Sequence, residues 1–323
     1  GIFHFRQYID EYDHYVESGQ FIYSHKISSK YLPNTNLVGV NIFFKEYMIQ
    51  FIEKYRLVSY LKNTRNLIHV CWQLLVILFL KKSDIYHVLI HGNTHIITSY
   101  IRIRFPNAVI IGEAVNSHPK SFKSLLNLAQ MDHGISQSKD LIMGEKNMID
   151  EISKVDYLLS PSRFISETYL RNSFPNNKIF EIPYSTDLSV FKKLKNINSV
   201  GELGLDCTAD YRILYVGSIS SRKGFKYLLD AYGRFNQAVV ELVVIGRLDA
   251  ELSAYYKNNV HRFKHFEGLS HEQLVFYYNA ADVTVLPSVE DGFGYVVQES
   301  LACGTPVICT ENCGSKDVVI NGY

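Results

Sequence analysis

The sequence predicts an α/β protein made of two Rossmann-like domains, and three observations carry that prediction. The 323 residues suffice for two domains of ordinary size. Short apolar runs alternate with amphipathic ones, as parallel strands joined by helical crossovers require. A polar, charged stretch with no clear period, starting at Lys192, separates the halves. The expected domains are residues 1–195 and 210–323, with 196–209 as a linker.

The second half is the clearer one. Residues 211–216 (Tyr-Arg-Ile-Leu-Tyr-Val) read as a strand, and 217–224 as a loop leading into a helix over 225–235. Residues 239–245 are rich in β-branched side chains and read as a second strand. A third strand is expected over 261–267, a helix over 271–280 and a buried strand over 283–286. A helix over 294–302 and a strand over 306–309 complete the pattern. Strands over 88–90, 108–111 and 157–160, with mainly helix over 130–155, repeat the theme in the first half. Open α/β sheets bind ligands at the carboxyl ends of their strands, so a cleft between two such domains is the expected site.

Composition narrows the function. Lys and Arg number 33 against 32 Asp and Glu, a formal charge of +1, which gives nucleic-acid binding no support. The 47% hydrophobic content is that of a globular protein with a sizeable core. Five cysteines without zinc-knuckle spacing read as free thiols in a reducing compartment. The apolar run over 70–80 carries Gln73, falls short of the roughly 20 residues a membrane span needs, and reads as a buried helix. The aromatic and basic stretch over 43–62 reads as a helix on the N-terminal sheet, with a membrane surface as its alternative. His87, His91 and His95 would share one face of a helix and could hold a metal, but 88–90 reads as a strand.

Two stretches carry chemistry. The loop Gly217-Ser-Ile-Ser-Ser-Arg-Lys-Gly224 joins a strand to a helix, and glycines let backbone amides approach a ligand. A helix N-terminus beside two cations welcomes an anion such as a diphosphate. A plain βα turn with exposed basic residues fits the loop equally well. The second stretch is Ser288-Val-Glu-Asp-Gly-Phe-Gly-Tyr-Val-Val-Gln-Glu299, an acidic, glycine-rich loop running into a helix. Asp291 could accept hydrogen bonds from sugar hydroxyls, Glu299 could hold both hydroxyls of a ribose, and the amides around residues 292–295 could meet phosphates. Alternatively, the acids cap a helix N-terminus.

The second stretch resembles the glutamate–seven–glutamate signature of the family-4 retaining glycosyltransferases, whose GT-B fold sets two Rossmann-like domains face to face across a cleft. Val216-Gly-Ser-Ile-Ser-Ser-Arg-Lys-Gly resembles that family's diphosphate loop, with Lys223 at its lysine position. Ala281-Asp-Val-Thr-Val-Leu-Pro-Ser, Ala302-Cys-Gly-Thr-Pro-Val-Ile, Pro161-Ser162, Ile182-Pro-Tyr-Ser-Thr-Asp187 with Phe191, and Ser117-His118 also fit. The resemblance covers roughly residues 84–323. It implies transfer of a sugar, with retained configuration, from a nucleoside-diphosphate sugar to a glycan or lipid-linked acceptor, with no cofactor and no metal. It implies catalytic roles for His118, Lys223 and Asp291. Donor binding falls to Gly217, Ser218, Arg222, Glu290, Gly292, Phe293, Gly294, Tyr295 and Glu299.

Several positions depart from the family. Its first glutamate is Asp291 here with Glu290 beside it, so either acid could hold the donor sugar, and Asp291 is the one in register with Glu299. Ser218 replaces an arginine, a charge Arg222 would restore, and Ser185 replaces a glycine. The chain opens on Gly1-Ile-Phe-His-Phe-Arg and stops at Ile320-Asn-Gly-Tyr, so a fragment lacking the first strand and the closing C-terminal helices is expected. The expected setting is polysaccharide biosynthesis in the cytoplasm, with peripheral membrane contact through the N-terminal domain. The rival functions are a nucleotide-sugar 2-epimerase on the same fold and a non-catalytic sugar-nucleotide-binding subunit.

Overall fold

The computed structural model describes residues 20–23, 38–39, 70–71, 73–78, 80, 82–90, 94–132, 139–195 and 200–320. The stretch over 43–62 read as a helix on the N-terminal sheet, the opening hexapeptide, His91 and residues 321–323 lie outside the described residues. The chain divides into two compact units. One comprises residues 1–115, 138–160 and 173–182, the other 116–137, 161–172 and 183–323.

The first unit is built on a parallel sheet of six described strands. They are β1 (Gln20–Tyr23), β2 (Val38–Gly39), β3 (Ile85–Ile90), β4 (Val109–Ala114), β5 (Tyr157–Ser160) and β6 (Ile179–Glu181), in the order β2-β1-β3-β4-β5-β6. β3 and β4 pair along their full length, from Ile85 opposite Val109 to Ile90 opposite Ala114. Tyr86, Val88 and Ile110 pack with Ile97 and Ile101 of helix α1 (His95–Arg104). The strand reading of 88–90 holds over the shared helical face: His87 is a strand residue whose Nε2 lies 3.2 Å from Glu113 Oε2 on the neighbouring strand, while His95 begins α1. Residues 70–71 and 73–78 are helical, but only one face is covered. Gln73 and Val76 are buried while Leu74, Leu75 and Leu78 are exposed, which corrects the expectation of a buried helix. Gln73 Oε1 accepts a hydrogen bond from Ile96 N–H at 2.9 Å and so serves the open N-terminus of α1.

The helical stretch expected over 130–155 is two helices, α2 (Pro119–Asp132) and α3 (Lys139–Ile152). The second stops short of Val155 because Val155 N–H turns back to Ile152 O and the chain enters β5. A further helix, α4 (Arg163–Leu170), starts at Ser162, whose Oγ accepts from Ile165 N–H at 3.3 Å.

The second unit carries a five-stranded parallel sheet of β7 (Tyr211–Val216), β8 (Val240–Ile245), β9 (Lys264–Phe266), β10 (Val283–Leu286) and β11 (Val307–Cys309). Its order is β11-β10-β7-β8-β9. Read from the other edge this is third, second, first, fourth, fifth, the doubly wound order with its reversal between β7 and β10. Alternation along the strands fills both faces. Leu214, Val216, Val243 and Ile245 pack on one side with Tyr278 and Phe191. Tyr215, Leu242 and Val244 pack on the other with Phe225 and Leu229. The helices are α5 (Phe225–Tyr232), α6 (Ser253–Asn259), α7 (His271–Ala280) and α8 (Tyr295–Ala302). α7 keeps the bounds read from sequence because Ser270 and Gln273 close a reciprocal capping box. α5 ends three residues earlier than expected, at the Gly233 cap, and β9 is shorter because Val260–Arg262 form a 3₁₀ turn. Within the stretch read as a linker, Leu205 is buried in the core beside Phe191 and Leu214.

Candidate active site

The connections after β7 and β10 leave the sheet in opposite directions, so a crevice opens at the carboxyl ends of these two neighbouring strands. The loop over 217–224 follows β7 and that over 287–294 follows β10, which places both motif-bearing stretches at this crevice. Their backbones touch: Val289 N–H donates to Arg222 O at 2.9 Å. Gly224 makes the approach possible. It has φ +67°, and a Cβ there would lie 1.8 Å from Pro287 O.

Side chains complete the junction in pairs. Arg222 Nη1 donates to Glu290 O at 3.1 Å and stands 3.4 Å from Glu290 Oε2. Lys223 Nζ pairs with Asp291 Oδ2. Two successive cations of one loop thus meet two successive acids of the other. Sequence reading supplied all four residues and neither pairing.

The two acids differ in setting. Glu290 has no exposed surface, and its Oε1 accepts from Ser117 N–H at 2.9 Å. Burial pushes its carboxyl above the usual range; Arg222 and the Ser117 N–H pull it back, while Asp291 pushes the same way as burial. Asp291 is held by its own backbone, with its N–H on Asn312 O at 2.9 Å and its carbonyl accepting from Gly314 N–H at 3.0 Å. Ser162 Oγ donates to the carbonyl of Gly292 at 3.0 Å, which fixes the next residue of the loop.

His118 is buried immediately before α2. Its N–H donates to Thr168 Oγ1 at 2.9 Å, and its ring meets Tyr169 edge-on at 5.2 Å. Nδ1 accepts from Lys120 N–H at 3.4 Å, which puts the proton of the neutral ring on Nε2. Thr168 and Tyr169 had no sequence signal, since nothing in a helical pattern tells which residue faces a distant loop.

Glu299 projects from α8, a helix that begins at Gly294 with φ +77° and no side-chain cap. A Cβ at Gly294 would stand 2.7 Å from Cys313 Sγ and 2.9 Å from Leu286 Cδ2, so only glycine fits. Glu299 is buried, its Oε2 accepts from Tyr278 OH at 2.7 Å, and burial raises its pKa against that hydrogen bond. Beside the start of α8, Tyr295 stacks on Tyr184 at 5.5 Å with 10° between the rings, and Phe293 meets both edge-on.

The loop over 217–224 has internal support. Ser218 O accepts from Tyr215 OH at 2.6 Å, Ser218 Oγ lies 3.1 Å from Ser220 Oγ, and Ser220 Oγ accepts from Lys223 N–H at 3.3 Å. Gly217 adopts φ +151°. Glu251, which no motif flagged, accepts from Ser221 N–H at 2.7 Å. Asp249 stands near the same loop, with a carboxyl raised by burial and by Glu251. The crevice can therefore present an anion with two cations and the N-terminus of α8, and present hydroxyl groups with several fixed carboxylates.

Residues 208–323 match the family described as glycosyl transferases group 1. An uncharacterized glycosyltransferase of Methanocaldococcus jannaschii is 32% identical over 130 residues, 39% of this chain and 36% of its own length. The lipopolysaccharide 1,2-N-acetylglucosaminetransferase of Salmonella typhimurium is 27% identical over 181 residues, 51% of this chain and 46% of its own. The chain spans less than half the length of these curated relatives. Among solved structures, Anabaena HepE in complex with UDP and glucose superposes with TM-score 0.61 at 13% identity, covering 95% of this chain and 84% of that one. Sucrose-phosphate synthase of Thermosynechococcus elongatus gives 0.57 at 24% identity, covering 73% and 58%. The fold is that of the GT-B glycosyltransferases, and residues 208–323 of this chain are similar to the group 1 glycosyl transferases.

Proposed function

We propose that the chain is a retaining glycosyltransferase that takes a sugar from a nucleoside-diphosphate donor and needs no metal ion. The observation that carries this reading is the double junction of Arg222 with Glu290 and Lys223 with Asp291 at the sheet's reversal point. It gathers phosphate-binding cations and sugar-binding carboxylates at one crevice. The complexes of HepE with UDP and glucose support a nucleotide sugar as donor.

In this reading the diphosphate sits over the loop 217–224 and the start of α8. Lys223 and Arg222, with amides of Ser218 and residues 292–295, stabilise the charge that grows on the leaving group. Glu299 holds the ribose hydroxyls, and Tyr278 keeps its carboxylate oriented. Asp291 and the Nε2–H of His118 bind the sugar hydroxyls, and Phe293 and Tyr295 wall the site. The C1–O bond to the diphosphate breaks as the acceptor oxygen bonds C1 on the same face. The acceptor's proton passes to the departing diphosphate. The acceptor is a glycan or a lipid-linked sugar, met in the cytoplasm at the membrane face, in a pathway that builds polysaccharide.

The test uses UDP-glucose as probe donor with panels of sugar and lipid-linked acceptors, in buffer containing a chelator. An α-linked product, read from its anomeric proton coupling, supports the reading. A β-linked product, or dependence on added metal, overturns it. Lys223→Ala and Glu299→Ala each should lose turnover, and wild-type turnover in both would refute the site.

A further inference from the structure

We infer that Glu290 is a positioning residue, which makes no contact with substrate and locks the segment bearing His118 to the loop bearing Arg222 and Lys223. The inference rests on the proposed reading for its catalytic consequence, but its structural part stands independently.

Three observations carry it. Glu290 has no exposed surface, whereas its neighbour Asp291 keeps a small exposed fraction at the crevice. Both Glu290 oxygens are engaged within the protein, Oε1 by the Ser117 N–H and Oε2 by the Arg222 guanidinium. Its backbone repeats the link, since its carbonyl accepts from Arg222 Nη1 and the preceding Val289 N–H donates to Arg222 O.

The consequence follows from chain connectivity. Ser117 directly precedes His118, whose N–H and Nδ1 are already committed to Thr168 and Lys120. The bond to Ser117 thus ties the segment of this histidine directly to the loop that meets the two cations. A buried carboxylate is tolerated only where donors satisfy it, so one arrangement of Ser117 and Arg222 is strongly preferred. A shift of about 1 Å at a reacting group can cost about a hundredfold in rate. A second acid placed beside the sugar-facing one therefore acts on the reaction through its neighbours.

Two substitutions separate this role from direct binding. Glu290→Gln keeps an amide oxygen for the Ser117 N–H but loses the charge, and Glu290→Ala loses both. With UDP-glucose as probe, Glu290→Ala should lower kcat about a hundredfold with KM changed less than about threefold, and Glu290→Gln should lower kcat only about threefold. Independently of turnover, NMR of the unliganded protein should show the Ser117 amide proton moving upfield in Glu290→Gln. The His118 ring signals should move in Glu290→Ala and stay near their wild-type positions in Glu290→Gln. Should Glu290→Ala not fold, the Ser117 signal in Glu290→Gln decides. Unmoved Ser117 and His118 signals would overturn the inference, as would a rise in KM that is equal in both variants. Absence of UDP-glucose turnover by the wild type would count against the transferase reading while leaving the NMR outcome to judge Glu290.

Discussion

Tyr278 donates its hydroxyl to Glu299 Oε2 at 2.7 Å, and both residues are buried. Tyr278 is itself held from behind, because its carbonyl accepts from Thr305 Oγ1 at 2.6 Å. The carboxylate expected to hold the ribose is therefore oriented by a side chain of α7.

Tyr278→Phe should remove a hydrogen bond from a buried carboxylate without opening a cavity. The expected loss is about 1–3 kcal/mol of stability, read as a lower urea midpoint with unchanged slope. UDP affinity, measured by calorimetry on the folded variant, should also fall.

Lys223→Ala should weaken UDP binding by about 1.5–3 kcal/mol, the worth of hydrogen bonds to a charged group. Asp291→Asn leaves the lysine in place and should bind UDP at least as tightly while losing sugar transfer. Calorimetry with UDP, set beside UDP-glucose turnover, checks the split. Equal loss of UDP affinity in both variants would break the assignment of phosphate to one residue and sugar to the other.

Burial raises the carboxyls of both Glu290 and Glu299 above the ordinary glutamate value of 4.5. The folded state then binds protons more tightly than the unfolded one. The stability this brings is fully present below the unfolded value and is lost as pH rises through the raised folded values. Glu290→Gln should flatten that fall. Urea unfolding of wild type and variant across this window is the check, and an identical pH dependence in the two proteins would contradict the burial argument.

Gly224→Ala places a methyl group 1.8 Å from Pro287 O at a residue with φ +67°. The left-handed backbone alone costs about 1–2 kcal/mol, and the collision must also part the two loops. A loss above about 2 kcal/mol is expected, along with weaker UDP binding. A well-folded Gly224→Ala with native UDP affinity would show that the loops need not touch.

Arg212 and Glu241 offer a control away from the crevice. They pair at 2.7 Å on adjacent strands, and Arg212 also serves the carbonyls of Ala280 and Asp206. Glu241→Ala leaves a mostly buried guanidinium unpaired and should cost about 3 kcal/mol. UDP affinity of the folded fraction should be unchanged.

Much of the second unit was legible because each signal there is local. Strands β7 and β10 and helix α7 have the bounds read from sequence, since apolar runs and a capping box are written in neighbouring residues. Gly224 and Gly294 were legible as loop glycines at helix starts, and both adopt the left-handed backbone that glycine allows. The helical run over 70–80 was harder, because an apolar composition does not say which face finds a partner. Leu78 is 80% exposed while Gln73 is buried against a helix start.

The sequence by itself determined the parallel α/β class, the two motif loops and the cationic and acidic residue types that line the crevice. Periodicity, glycine placement and charge are properties of short segments and survive without a partner. Tertiary structure alone decided how those groups are paired. Arg222 meets Glu290 and Lys223 meets Asp291 at a sequence separation of 68, and Ser117 reaches Glu290 at a separation of 173. Such pairings depend on which strands lie adjacent and on how the loops leave the sheet. They also set burial, and burial distinguishes two neighbouring acids of nearly identical chemistry: Asp291 faces the crevice, and Glu290 is sealed beneath it with its charge spent on the protein.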